Sequence, residues 1–186
     1  MKIVVTGAAG FIGSHLCESL SNLKHDIIGV DCFTDYYSTK LKRQNAEEVR
    51  STGCIIKEID LSAEKIDTLL NEVDVIYYLA AQPERASHVS FKNYVRNNII
   101  ATHNLVEACV KNTCIKMFVN ISTSSVYGYY ATASENAIPQ PVSYYGVTKL
   151  AAEQLVLAYA REGKIPACSI RLFSVYGPRE RPEKLY

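Results

Sequence analysis

The sequence contains no tryptophan, only two methionines and a net charge of just +1. A balance so near neutral gives no sign of the strongly basic character that nucleic acid or an anionic membrane favours, and neither partner is expected. No apolar run approaches the roughly 18 residues that would suggest a membrane span. Met1-Lys2 followed by Ile-Val-Val loosely imitates a secretory leader, but glycines interrupt it at once, so a cytoplasmic location is expected. The cysteines at 17, 32, 54, 109, 114 and 168 make no C-x-x-C pair, and the four histidines are scattered. That leaves no disulfide framework and no expected metal. Internal repeats, low-complexity tracts and interdomain linkers are also lacking. A chain of 186 residues, 48% hydrophobic, has room for one domain spanning 1–186 with a real core.

What is present is concentrated in the first thirty residues. Lys2-Ile3-Val4-Val5-Thr6 is a β-branched apolar run, and the glycine triad Gly7-Ala8-Ala9-Gly10-Phe11-Ile12-Gly13 follows directly. Ile12, Leu16, Leu20 and Leu23 then recur at helical spacing, and a second strand, Ile27 to Val30, ends on Asp31. Strand, glycine turn, helix, strand and terminal acid together predict a dinucleotide site. Gly7 suits the sharp turn, Gly10 leaves a pyrophosphate free to approach the main chain, and Gly13 lets helix pack on strand. The helix N-terminus presents partial positive charge to the phosphates. Asp31 can accept bonds from both adenosine ribose hydroxyls and repels a 2′-phosphate, so the expected cofactor is NAD rather than NADP.

The remaining chain alternates strand and helix patterns, which predicts a doubly wound parallel α/β sheet, the Rossmann fold. Helices are expected over about 39–50, 91–112 and 144–162, and strands over 54–59, 73–81, 116–121 and 167–172. The third strand closes on Asp60-Leu61, where the acid either meets adenine or caps the turn at Ser62. Leu79, Ala80 and Ala81 close the fourth, and small residues there suit a flat cofactor. Asn98 is an amide on an apolar helical stripe, either a satisfied core residue or an active-site anchor.

Tyr145-x-x-x-Lys149 puts a phenol and an ammonium on one helical face. A phenol titrates near ~10 and is a poor base until a nearby cation lowers that value. Tyr145 then takes a proton from an alcohol while hydride leaves the same carbon. Lys149 also holds the nicotinamide ribose, and Thr123, at a strand end, bonds the reacting oxygen. A second copy of the spacing, Tyr36-x-x-x-Lys40, lacks that context and reads as surface decoration.

These stretches, with Leu79-Ala80-Ala81-Gln82, Thr123-Ser124-Ser125-Val126-Tyr127-Gly128 and Arg171-Leu172-Phe173-Ser174-Val175-Tyr176-Gly177-Pro178-Arg179, resemble the extended short-chain dehydrogenase/reductase family. Within it they are most similar to nucleotide-sugar 4-epimerases of the UDP-glucuronate type. The resemblance implies NAD, a transient 4-keto sugar, a homodimer, and a C-terminal substrate domain largely absent here. Thr123, Tyr145 and Lys149 become the catalytic triad. Gly7, Gly10, Phe11, Ile12, Gly13, Asp31, Asp60, Leu61, Leu79, Ala80, Ala81 and Asn98 join Tyr145 and Lys149 around the cofactor. Arg85, Thr123, Ser124, Ser125, Tyr145, Ser174 and Arg179 are the implied contacts to a nucleotide-sugar substrate. For Arg179, Arg181 and Lys184, neutralising a diphosphate and forming a solvated basic end are equally open. Dehydratases of the family carry acids after the threonine; Ser124 and Ser125 stand there instead, which favours epimerisation.

Overall fold

The computed structural model describes residues 1–83, 89–132 and 134–181. Its centre is β1 (Lys2–Thr6), which pairs in parallel with β2 (Asp26–Asp31) on one side and β4 (Val75–Tyr78) on the other. β3 (Ile55–Glu58) extends the sheet beyond β2, while β5 (Met117–Thr123) and β6 (Ala167–Leu172) extend it beyond β4. The order is β3-β2-β1-β4-β5-β6, all parallel, so the winding reverses between β1 and β4. This is the doubly wound α/β arrangement expected.

Both faces of the sheet are covered at its central strands β1, β2 and β4, which is why those strands read as apolar runs. Val4, Val30, Ile76 and Phe118 pack on one face with Leu105, Val106 and Val156. Ile3, Val5 and Ile27 pack on the other with Cys17, Leu20 and Val49. The flanking helices are α1 (Phe11–Asn22), α2 (Thr39–Ser51), α3 (Phe91–Tyr94), α4 (Ala101–Val110) and α5 (Tyr144–Arg161).

Three elements differ from the sequence expectation. The helix expected over 91–112 is interrupted at Val95–Ile100 by a π-helical segment, which rotates the stripe and leaves Phe91 exposed while Asn98 is buried. Short 3-10 turns at Asp67–Leu70 and Ser124–Tyr127 carry no periodicity long enough to read.

The glycine turn is sterically closed. Gly7 has φ +69°, and a Cβ on Gly13 would stand 2.1 Å from the Gly7 carbonyl oxygen. The helix therefore sits against the turn with no room for a methyl group. Gly13→Ala is expected to destabilise the chain by roughly 1–3 kcal/mol, measured as a lower thermal midpoint; an unchanged midpoint would show that the turn relaxes freely.

Candidate active site

The reversal between β1 and β4 opens a crevice beyond the strand ends, where doubly wound sheets place ligands. Here the Thr6 hydroxyl accepts hydrogen bonds from the backbone N–H groups of Leu79 (3.1 Å) and Ala80 (3.0 Å), joining the two strand ends at the floor. The cleft above it has a volume of ≈ 630 Å³. Gly7, Gly10, Phe11, Ile12 and Gly13 form one wall. A Cβ at Gly10 would meet only the Gly7 carbonyl oxygen, at 3.1 Å, so the space beside it is open. The N-cap of α1 is Gly10, which has no side chain to spend on the first-turn N–H groups, and that turn carries no acid. Those donors suit an anion.

Asp31 ends β2 at the far side of this wall. Its Oδ2 accepts from Ala9 N–H (3.1 Å) and its Oδ1 from Phe33 N–H (2.9 Å), which orients the carboxylate and leaves lone pairs for hydroxyl donors. Lys42 lies beside it, buried, with Nζ donating to the Thr34 carbonyl (2.7 Å) and hydroxyl (3.0 Å) and standing 4.7 Å from the Tyr37 ring centroid. Burial pushes this ammonium below its ordinary value, against the pull of Asp31, Cys32 and Asp35. Sequence reasoning missed Lys42, although its place on the stripe Lys42, Asn45, Ala46 and Val49 of α2 was a readable signal. Tyr36, expected on the surface, is buried and lines the cleft, with the Arg181 guanidinium 4.9 Å from its ring.

Asp60, Leu61, Leu79, Ala80 and Ala81 continue the lining. Asp60 meets the turn-capping alternative, because its Oδ1 accepts from Ser62 N–H (2.9 Å) and Oγ (2.6 Å), yet it also faces the cleft. Burial would raise this carboxyl, but Ser62 and the paired Arg96 hold it below the usual range.

The opposite end is built from β5, its 3-10 turn and α5. Thr123, Ser124, Ser125, Tyr145, Lys149 and Ser174 all line the same cleft. Thr123 Oγ1 accepts from Ser125 N–H (3.1 Å) and lies 3.2 Å from Ser125 Oγ. Ser143 caps α5 by accepting from Gly146 N–H (3.1 Å), which fixes the turn carrying the half-buried Tyr145. Lys149 is buried, and its Nζ donates to the Ile121 carbonyl (2.6 Å). Burial pushes its ammonium down to about 8, with Glu153 pulling the other way.

Two residues expected in the site stand differently. Asn98 does not line the cleft. Its side chain accepts from Gln82 N–H (2.7 Å) and donates to Gln82 O (3.2 Å) and Thr148 Oγ1 (3.0 Å), so it is a satisfied core amide that ties the β4 loop to α5. Arg179 also points away from the cleft, because its guanidinium is taken up by Glu18 (2.7 Å) and Glu48 (2.5 Å) on α1 and α2. Arg85 lies outside the described residues, as does Lys184.

The buried ammonium makes a stability prediction. Lys149 titrates near 8 when folded against an ordinary value of 10.5. The penalty is complete below the folded value, where both states are charged, and fades as pH rises to the unfolded one. Lys149→Met is therefore expected to melt above the unsubstituted chain at pH ~7, with a gain that narrows toward pH ~10. Thermal melts across that range test it; a gain independent of pH would place its source elsewhere.

The comparisons agree with this geometry. Against the uncharacterized UDP-glucose epimerase YtcB of Bacillus subtilis (strain 168) the chain is 46% identical over 192 residues, covering 100% of this chain and 60% of that protein. It is 34% identical to UDP-glucuronate 4-epimerase 2 of Arabidopsis thaliana, covering 100% of this chain and 44% of the relative. The crystal structure of UDP-glucuronic acid 4-epimerase from Bacillus cereus, in complex with UDP-glucuronic acid and NAD, superposes with TM-score 0.91 and 42% identity, covering 99% of this chain and 60% of that one. The chain thus spans about 60% or less of these relatives' lengths. The family model described as "NAD dependent epimerase/dehydratase family" matches residues 3–186, more than nine-tenths of the sequence, and the chain belongs to that family.

Proposed function

We propose that this chain binds NAD and carries the catalytic residues for epimerisation at carbon 4 of a UDP-hexose or UDP-hexuronate. The observation that supports this most is that one cleft joins the glycine turn and Asp31 to Thr123, Tyr145 and Lys149. The donor-rich N-terminus of α1 suits the pyrophosphate, and Asp31 suits the ribose hydroxyls while disfavouring a 2′-phosphate. Lys42 adds a buried cation beside that carboxylate.

NAD, when bound, would supply the hydride acceptor and donor for carbon 4. Thr123 bonds the sugar hydroxyl and Tyr145, as phenolate, removes its proton. The Lys149 ammonium favours that phenolate and holds the nicotinamide ribose. Loss of a hydride from carbon 4 and a proton from its hydroxyl leaves the 4-keto sugar; return of the hydride to the opposite face of carbon 4 and of the proton to the oxygen gives the epimer. Ser124 and Ser125 offer no carboxylic acid for elimination of water, which favours epimerase over dehydratase.

A homodimer in the cytoplasm completes the reading. Phe91, Ile100, Tyr144 and Val147 are exposed along α3 to α5, and the Phe91 and Tyr144 rings pack 5.0 Å apart. Such a patch is suited to pairing with a second copy.

Tyr145→Phe is expected to keep NAD binding and lose turnover of UDP-glucuronate by roughly 10²–10⁴-fold. NADH fluorescence titration and product analysis separate the two, using this chain beside a version carrying the C-terminal portion of its relatives. Full turnover by the variant, or absence of NAD binding by the parent, would overturn the reading.

A further inference from the structure

Behind the cleft, and not lining it, lies a buried ion pair that the mechanism above does not use. Glu153 sits one helical turn beyond Lys149 on α5 and is 1% exposed. Arg171, on β6 opposite Ser122 of β5, grips it with a fork: Nε lies 3.2 and 3.1 Å from the two carboxylate oxygens, and Nη2 donates to Oε1 at 2.6 Å. The other arm, Nη1, donates to the Tyr127 hydroxyl (2.8 Å) and the Glu135 carbonyl (3.0 Å). One guanidinium thus joins α5, β6, the Ser124–Tyr127 turn and the irregular segment before α5. These are the elements that carry or adjoin Tyr145, Lys149, Ser124 and Ser125.

Stability alone is a weak reason for such a pair. Desolvating two charges costs about what their attraction returns, and well-packed apolar residues often serve as well. What apolar residues cannot supply is a fixed negative charge beside a buried ammonium. Lys149 has one hydrogen bond to a neutral carbonyl, from Ile121 on β5. Tyr145 and Glu153 stand one helical turn to either side of it on α5, and Arg171 of β6 is paired with Glu153. Glu153 is the charge that acts on it among the described residues. Arg171 in turn keeps that carboxylate ionised: burial alone would raise it, but the Arg171 fork holds it below its ordinary value.

The geometry points to Glu153, held by Arg171, as the counter-charge of the Lys149 ammonium, and so as a positioning residue acting on Tyr145 through Lys149. The inference rests on the catalytic reading of Tyr145 and Lys149 for its consequence, though not for its measurement. Without the carboxylate the ammonium gives up its proton at lower pH, and the phenol loses the cation that favours its ionised form.

The test is a pH titration of the chain labelled with [¹³C]lysine, following the Cε signal that disappears in Lys149→Met. The unsubstituted chain should show a midpoint near 8. Glu153→Gln should move it down by roughly half a unit or more, and Glu153→Asp should restore most of the shift. An unmoved midpoint in folded Glu153→Gln overturns the inference, since a merely structural pair would leave Lys149 unaffected. If Glu153→Gln does not fold, the double variant Glu153→Met with Arg171→Met takes its place: an apolar pair removes the carboxylate without leaving an unpaired guanidinium, so the midpoint again falls, and an unmoved one overturns the inference equally. NAD added to the same sample tests the cofactor reading separately, because the Lys149 midpoint is read without it.

Discussion

The Thr6 hydroxyl, accepting the N–H groups of both Leu79 and Ala80, holds the two central strand ends together where the sheet reverses its winding. Parallel strands leave their carboxyl ends without a ladder partner, and the neighbouring connections leave in opposite directions. A crevice is unavoidable there unless something closes it. The threonine satisfies the first N–H groups beyond β4 without filling the space. Asn45 Nδ2, donating to the Ala9 carbonyl (3.0 Å), braces the glycine turn from α2 in the same way. The cleft is thus walled by main chain whose shape is fixed by buried side-chain bonds below it.

On that frame the charges are divided by role. Asp31, at one end of the cleft, has each oxygen oriented by a backbone donor. Lys149, at the other, is buried against a single carbonyl and titrates far closer to neutrality than a free lysine. Burial is what makes the ammonium responsive, because a group already short of solvation reacts strongly to any charge placed beside it. The family description joins epimerases and dehydratases on one framework, so the fold by itself does not separate the two reactions.

Much of the arrangement was legible in advance where local chemistry is strict. The glycine spacing, the acid at the end of β2 and the tyrosine–lysine pair are short-range patterns, each with a steric or electrostatic reason that needs no distant partner. The strands were legible too, because a sheet covered on both faces demands continuous apolar runs. The readings that the structure corrected or narrowed share one cause. Tyr36 looks like a polar loop residue until Arg181 arrives from the far end of the chain. Asn98 looks like an active-site amide until a π-helical segment turns it onto Gln82 and Thr148. Arg179 looks like a phosphate ligand until Glu18 and Glu48 claim it.

The amino-acid order by itself determined the parallel α/β class, the glycine turn and the tyrosine–lysine pair on one helical face, because each depends on spacing within a few residues. Only the tertiary structure decided which polar side chains are free to meet a ligand. That depends on what is packed against them from elements dozens of residues away. The Glu153–Arg171 fork shows why: an acid on a helix and a base on a strand look like separate surface charges in one dimension, and become one buried unit behind Lys149 only when β6 is laid beside β5.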